Sequence, residues 1–184
     1  MLKTFCRILQ PEAGTVRVNG VNIANLSRKE VSRRVSLMAQ SPEAPEGITV
    51  KELVGRGRFP YQSWLSQWSQ KDEKQVTAAM ECAHVHDLAN ARVRELSGGQ
   101  RQRAWLAMTL AQDTSVVLLD EPTTYLDIGH QHGLLSLAGQ LKNGGRTVVA
   151  VLHDLQQAIH YADYLVVMSR CYRLSQGSDF SWPH

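Results

Sequence analysis

The chain has 184 residues, 43% hydrophobic and 20% charged, with a formal net charge of +3; this is the make-up of one sizeable folded domain, not of a disordered or collagen-like polymer. So mild a charge, with no block of like residues, gives no electrostatic case for nucleic acid as a partner. Three cysteines without a CxxC pair (Cys6, Cys82 and Cys171) argue against a disulfide framework or a zinc site, and no apolar run approaches the roughly 20 residues of a membrane span. With no leader pattern either, a membrane role is expected to be exercised from the cytoplasmic side, through a partner.

Leu2, Phe5, Cys6 and Leu9 fall at helical spacing, so the chain is expected to open inside a helix that Pro11 and Gly14 stop. Thr15 to Ile23 alternates around Asn19-Gly20, a hairpin signal. Ser27 with Glu30 predicts a capping box on a short basic helix, and Val35 to Ala39 a buried strand that ends at Gln40. From Ser41 to about Leu110 nothing resembles a strand. Pro42, Pro45 and Gly47 mark a loop, Thr49 with Glu52 caps a helix, and Trp64 and Trp68 punctuate a second loop. Val76, Ala79, Met80 and Ala83 then stripe a helix, and Ser97-Gly98-Gly99-Gln100 opens another that carries Ala104, Ala107, Met108 and Ala111 on one face.

Beyond Asp113 strands and helices alternate. Val116 to Leu119 and Thr147 to Leu152 read as buried strands and Tyr164 to Met168 as a third. Between them lie helices striped by Leu134, Leu137, Ala138 and Leu141 and around Leu155 to Tyr161. This order predicts a parallel sheet with covered faces.

Two short segments carry chemistry. Val116 to Leu119 delivers Asp120 and Glu121 at the carboxyl end of a strand, the edge where ligands bind in open α/β sheets. Phosphoryl transfer needs one carboxylate near Mg²⁺ and another group to orient the attacking water. Taken alone, the pair is equally a solvated acidic turn. Leu96 to Gln100 sets a hydroxyl and two glycines at a helix N-terminus, where exposed backbone N–H groups and the helix dipole suit phosphate oxygens. Alone, it is more simply a serine cap.

Together, and in this order, Gln40, Leu96 to Gln100, Val116 to Pro122, Thr124-Tyr125-Leu126-Asp127 and His153-Asp154 resemble the ATPase subunits of ABC transporters. They correspond to the Q-loop, signature, Walker B, D-loop and switch histidine of that family. The resemblance covers the chain to Arg170 and implies an α/β, P-loop NTPase-type core: a parallel sheet with flanking helices, a small antiparallel hairpin and an inserted helical subdomain. Residues 1–40 and 111–170 are expected to form the core and residues 41–110 the helical signature subdomain, with 171–184 an atypical tail. The cofactors implied are ATP and Mg²⁺. Asp120 would act on Mg²⁺ through water, Gln40 would sense the metal, Glu121 would be the general base, and His153 would reach the γ-phosphate. Ser97, Gly98, Gly99 and Gln100 would face nucleotide on an opposite subunit, and Asp127 would lie at that interface.

The partners implied are transmembrane permease subunits, a second ATPase subunit (the same or different) and, indirectly, a periplasmic or lipoprotein substrate-binding protein, with the chain on the cytoplasmic face of the membrane. Gly57-Arg58-Phe59-Pro60-Tyr61 with Trp64, and Thr123 to Gln131, are similar to the iron–siderophore and vitamin B12 importer ATPases. The family's G-x-x-x-x-G-K-[ST] loop occurs nowhere in the 184 residues. The chain is therefore expected to be a fragment, inactive alone, with the loop's missing strand leaving Val116 to Leu119 exposed. Two alternatives stay open: a non-catalytic gene remnant, and a non-transport ABC protein of translation or DNA repair.

Overall fold

The computed structural model describes residues 1–40, 43–63, 68–124, 126–168 and 173–177. Trp64, Tyr125, the end of the sequence from residue 178 and residues 169–172 lie outside these. The chain divides into two units, Met1–Val151 and Leu152–His184.

The first unit opens with α1 (Leu2–Phe5), shorter than its apolar spacing predicts. Arg7 adopts φ 56°, and the amides of Ile8 and Leu9 both turn back to the Lys3 carbonyl at 2.9 and 3.2 Å, which closes the helix. Ile8 and Leu9 are consequently exposed, and Leu2 alone in the helix is buried. Strands β1 (Arg17–Val18) and β2 (Val21–Asn22) form the expected hairpin, with Asn19 at φ 50° and Gly20 at φ 78°. Both turn residues thus take the left-handed conformation that matches strand twist. Ser27 and Glu30 form the capping box of α2 (Arg28–Ser32).

Three parallel strands order as β3 (Val35–Met38), β4 (Val116–Asp120) and β5 (Thr147–Val151). β4 is central, and Val117, Leu118 and Leu119 are fully buried. The exposure expected of Val116 to Leu119 is therefore not there, because β3 and β5 satisfy both edges of the strand. β5, expected to be buried, is only half-buried, with Thr147 and Ala150 exposed.

Between β3 and β4 the longest elements among the described residues are helices: α3 (Val50–Gly55), α4 (Gln70–Cys82) and α5 (Gly98–Ala111). Each starts on a capping box, Thr49/Glu52, Ser69/Asp72 and Ser97/Gln100, so the chain's own side chains define where each helix begins. Their apolar faces share one core with Met38 of β3, Val117 and Leu119 of β4, and Leu134, Leu137 and Leu141 of α6 (Ile128–Asn143). The opposite face of the sheet, with Val35 and Leu118, packs against Leu2, Val18, Ile23 and Val31.

A buried ion pair ties the helices together. Arg58, 1% exposed, donates from Nε to Asp72 at 2.8 Å and from Nη1 to the Ala111 carbonyl at 2.8 Å, so it joins the N-terminus of α4 to the C-terminus of α5. Its guanidinium also lies over the Tyr61 ring, 3.9 Å from the centroid.

The second unit holds α7 (Leu155–Tyr161), capped by Asp154, and two antiparallel strands, β6 (Leu165–Met168) and β7 (Arg173–Gly177). β6 pairs antiparallel with β7, which comes from the segment expected to be an atypical tail.

Candidate active site

Asp120 is the last residue of β4, and Glu121 follows at φ 51°, an uncommon conformation for a residue with a side chain. That turn is held by the Glu121 amide on the Val151 carbonyl (3.2 Å) and the Thr124 amide on the Glu121 carbonyl (3.2 Å). Gln40, just past β3, donates from Nε2 to Glu121 Oε2, and Thr124 Oγ1 approaches the same oxygen at 3.4 Å. Neighbouring parallel strands therefore bring together two residues 81 positions apart, as the sheet rule for ligand-binding edges requires.

The signature turn lies at the N-terminus of α5. Ser97 Oγ accepts from the Gln100 amide (3.3 Å), and Gln100 Oε1 accepts from the Ser97 amide (3.0 Å). The box thereby uses two amides of the turn; those of Gly98 and Gly99 are first-turn donors for which a helix supplies no carbonyl. The glycines differ. Space above Gly98 is open, whereas a side chain on Gly99 would meet the His130 ring.

Asp127 caps α6, accepting from the His130 amide at 2.9 Å and pairing with His130 Nδ1 at 2.7 Å. The backbone hydrogen bond first, then the ring, holds its carboxyl below the ordinary aspartate range. Two further ties fix the loop between β4 and α6. Gln102 Nε2 donates to the Pro122 carbonyl (2.8 Å), and Gln131 Nε2 donates to the carbonyls of Thr123 (3.3 Å) and Leu126 (2.8 Å).

His153 lies in the second unit, exposed, in the turn before α7; next to it Asp154 accepts the amides of Gln156 (2.8 Å) and Gln157 (3.3 Å). Sequence reasoning gave no role to Arg58, Asp72 or His130, although Arg58 and His130 lie in the two segments similar to the siderophore importers. No spacing rule marks a buried arginine or a ring seated on a distant glycine, and the Arg58 segment stood out only by its aromatic neighbours. A groove of about 480 Å³ along α3, between Lys51, Arg56, Phe59, Trp68 and Glu73, is lined by none of the site residues.

A parallel sheet with carboxylates at its ligand edge, a helical insertion and a glycine-bearing helix N-terminus define an ABC-type ATPase cassette. The fold superposes on the CbiO1 subunit of the CbiONQ ABC transporter complex of Clostridium perfringens with a TM-score of 0.83 and 24% identity, over 96% of this chain and 70% of that one. Residues 1–124 match the family model described as ABC transporter, and the chain belongs to that family. It is 50% identical over 179 residues to the achromobactin transport ATP-binding protein CbrD of Dickeya dadantii. To the ferric enterobactin transport ATP-binding protein FepC of Escherichia coli it is 48% identical over 179 residues. Each alignment takes in 97% of this chain and 66% of the relative, so the chain spans just under two thirds of the length of these curated relatives.

Proposed function

We propose that the chain supplies the hydrolytic and signature portions of an ATP-binding subunit that powers import of ferric siderophores. The observation that carries this reading is the meeting of Gln40 with Glu121 beside Asp120 at the ligand edge of the sheet. The cargo class rests on the siderophore names of relatives near 50% identity.

The donor set suits Mg-ATP. Asp120 and the Gln40 amide offer the hard oxygen ligands that Mg²⁺ takes, and among the described residues no cluster of three His, Cys, Asp or Glu side chains would cage a metal. Mg²⁺ commonly keeps several waters and is held by one or two carboxylates together with phosphates. When bound, the metal neutralises charge on the transferring phosphoryl group. Asp120 would act on it through water and Gln40 would sense its presence. Glu121 accepts a proton from, or orients, the attacking water. His153 contacts the γ-phosphate, while Ser97, Gly98, Gly99 and Gln100 face nucleotide carried by a second ATPase subunit, with Asp127 at that interface. Permease subunits receive the work at the cytoplasmic face, and a substrate-binding protein delivers cargo to them.

Residues 1–184 hold no lysine-bearing phosphate loop, and the polypeptide of these residues by itself is expected to turn over no ATP. Phosphate release measured with Mg-ATP is expected at background level, and normal turnover from this polypeptide alone overturns the statement. Mixed with a loop-bearing subunit whose own signature serine is replaced, it is expected to give turnover that Ser97→Ala diminishes; turnover indifferent to Ser97 removes the composite-site reading.

A further inference from the structure

The first turns of α5 and α6 interlock. On α5, Gly99, Gln102 and Arg103 stand at i, i+3 and i+4, one face of a helix; on α6 the same spacing joins Asp127, His130 and Gln131. Across the junction the His130 ring occupies the space that a Gly99 side chain would take. In return, Arg103 lies against Gly133, 3.1 Å from where its Cβ would be. Each helix thus sets a large side chain over a glycine of the other. The ring is held in place by Asp127, through Nδ1 at 2.7 Å, and Gln102 adds a direct tie from α5 to the Pro122 carbonyl.

We propose that His130 is a positioning residue: pinned by Asp127 and seated on Gly99, it locks the signature turn to the loop that follows Asp120 and Glu121. It acts through the two elements it joins. A side chain on Gly99 would collide with the His130 ring, whereas the space beside Gly98 is open. The proposal deepens the reading above, in which Ser97 to Gln100 face a partner's nucleotide, and its functional consequence rests on that reading.

The test begins without nucleotide, on the full chain, by amide hydrogen exchange and histidine-ring NMR. His130→Ala is expected to raise exchange at Gln100 and Arg101 about tenfold while β4 amides keep their protection. Gly99→Ala is expected to move the His130 ring signals and raise exchange of the His130 amide that Asp127 caps. In the double variant, Gly99→Ala should add nothing to His130→Ala. His130→Phe keeps a ring but has no donor for Asp127, so it should fall between wild type and His130→Ala. Unchanged exchange at Gln100 and Arg101 in His130→Ala, or additive effects in the double variant, overturns the proposal. In a mixed assembly with a loop-bearing subunit, His130→Ala is expected to lower kcat at unchanged half-saturating ATP; a change confined to the half-saturating concentration also counts against it. Because exchange is read without ATP, a wild-type assembly with no turnover would sink the functional reading and leave the structural lock intact.

Discussion

β4 and β5 are paired along their whole length, from Val116 opposite Thr147 to Asp120 opposite Val151, yet they sit in different surroundings. β4 is covered on both faces: Val117 and Leu119 face the helical core, and Leu118 faces the cluster around Leu2, Val31 and Val35. β5 has only half-buried valines between exposed Thr147 and Ala150. An apolar run shows that a strand is fit for burial; the neighbouring layers decide whether it is buried. The candidate catalytic carboxylates follow the better-held strand, which gives them a fixed base.

The largest test of this contrast removes the clamp on the layer over β4. Arg58→Ala leaves Asp72 buried without its cation and is expected to cost about 3–5 kcal/mol, read from denaturant unfolding. Removing both partners with apolar residues should cost less, because no charge is then stranded; an equal cost would assign the effect to packing. Next, Leu118→Ala in β4 is expected to cost about 3 kcal/mol, and Val149→Ala in β5 below about 1 kcal/mol. Equal costs at the two positions would erase the distinction between the strands. Ser97→Ala, which breaks the capping box of α5, should cost about 1 kcal/mol.

A smaller effect follows from pH. Burial acts to raise the Asp72 carboxyl pKa, but hydrogen bonds from Ser69 and Arg58 outweigh it and hold the group below its ordinary value. A depressed folded pKa means that the stabilisation is fully present above the unfolded value near 4 and is lost as pH falls through the folded one. Unfolding midpoints should therefore be insensitive to this group between about pH 5 and 8. They should fall on acidification below that range, and Asp72→Asn should remove part of the acid limb. An acid limb identical in the variant would exclude Asp72 as its source.

Much of the frame is local and was legible in the sequence. The capping boxes of α2 and α3 rest on side chains three residues apart, the start of α5 on a serine cap, and the hairpin turn on adjacent Asn19 and Gly20. The order of Gln40, the signature turn, Asp120–Glu121, Asp127 and His153 carries the resemblance to the family in the sequence alone. Local spacing failed where a longer-range event intervened. Leu9 keeps the period of α1, but Arg7 breaks the helix and Leu9 faces solvent. Residues 173–177 carry little strand pattern and become β7 by pairing with β6.

The sequence by itself determined which residue types stand at the ends of which elements, because caps, turns and strand-end carboxylates depend on neighbours a few positions away. Only the tertiary structure decided that β4 lies at the centre of its sheet, that Gln40 reaches Glu121, that Arg58 clamps α4 to α5, and that His130 rests on Gly99. Each of these joins residues far apart in the chain. Their meeting depends on which faces pack together, and no spacing within one segment records that.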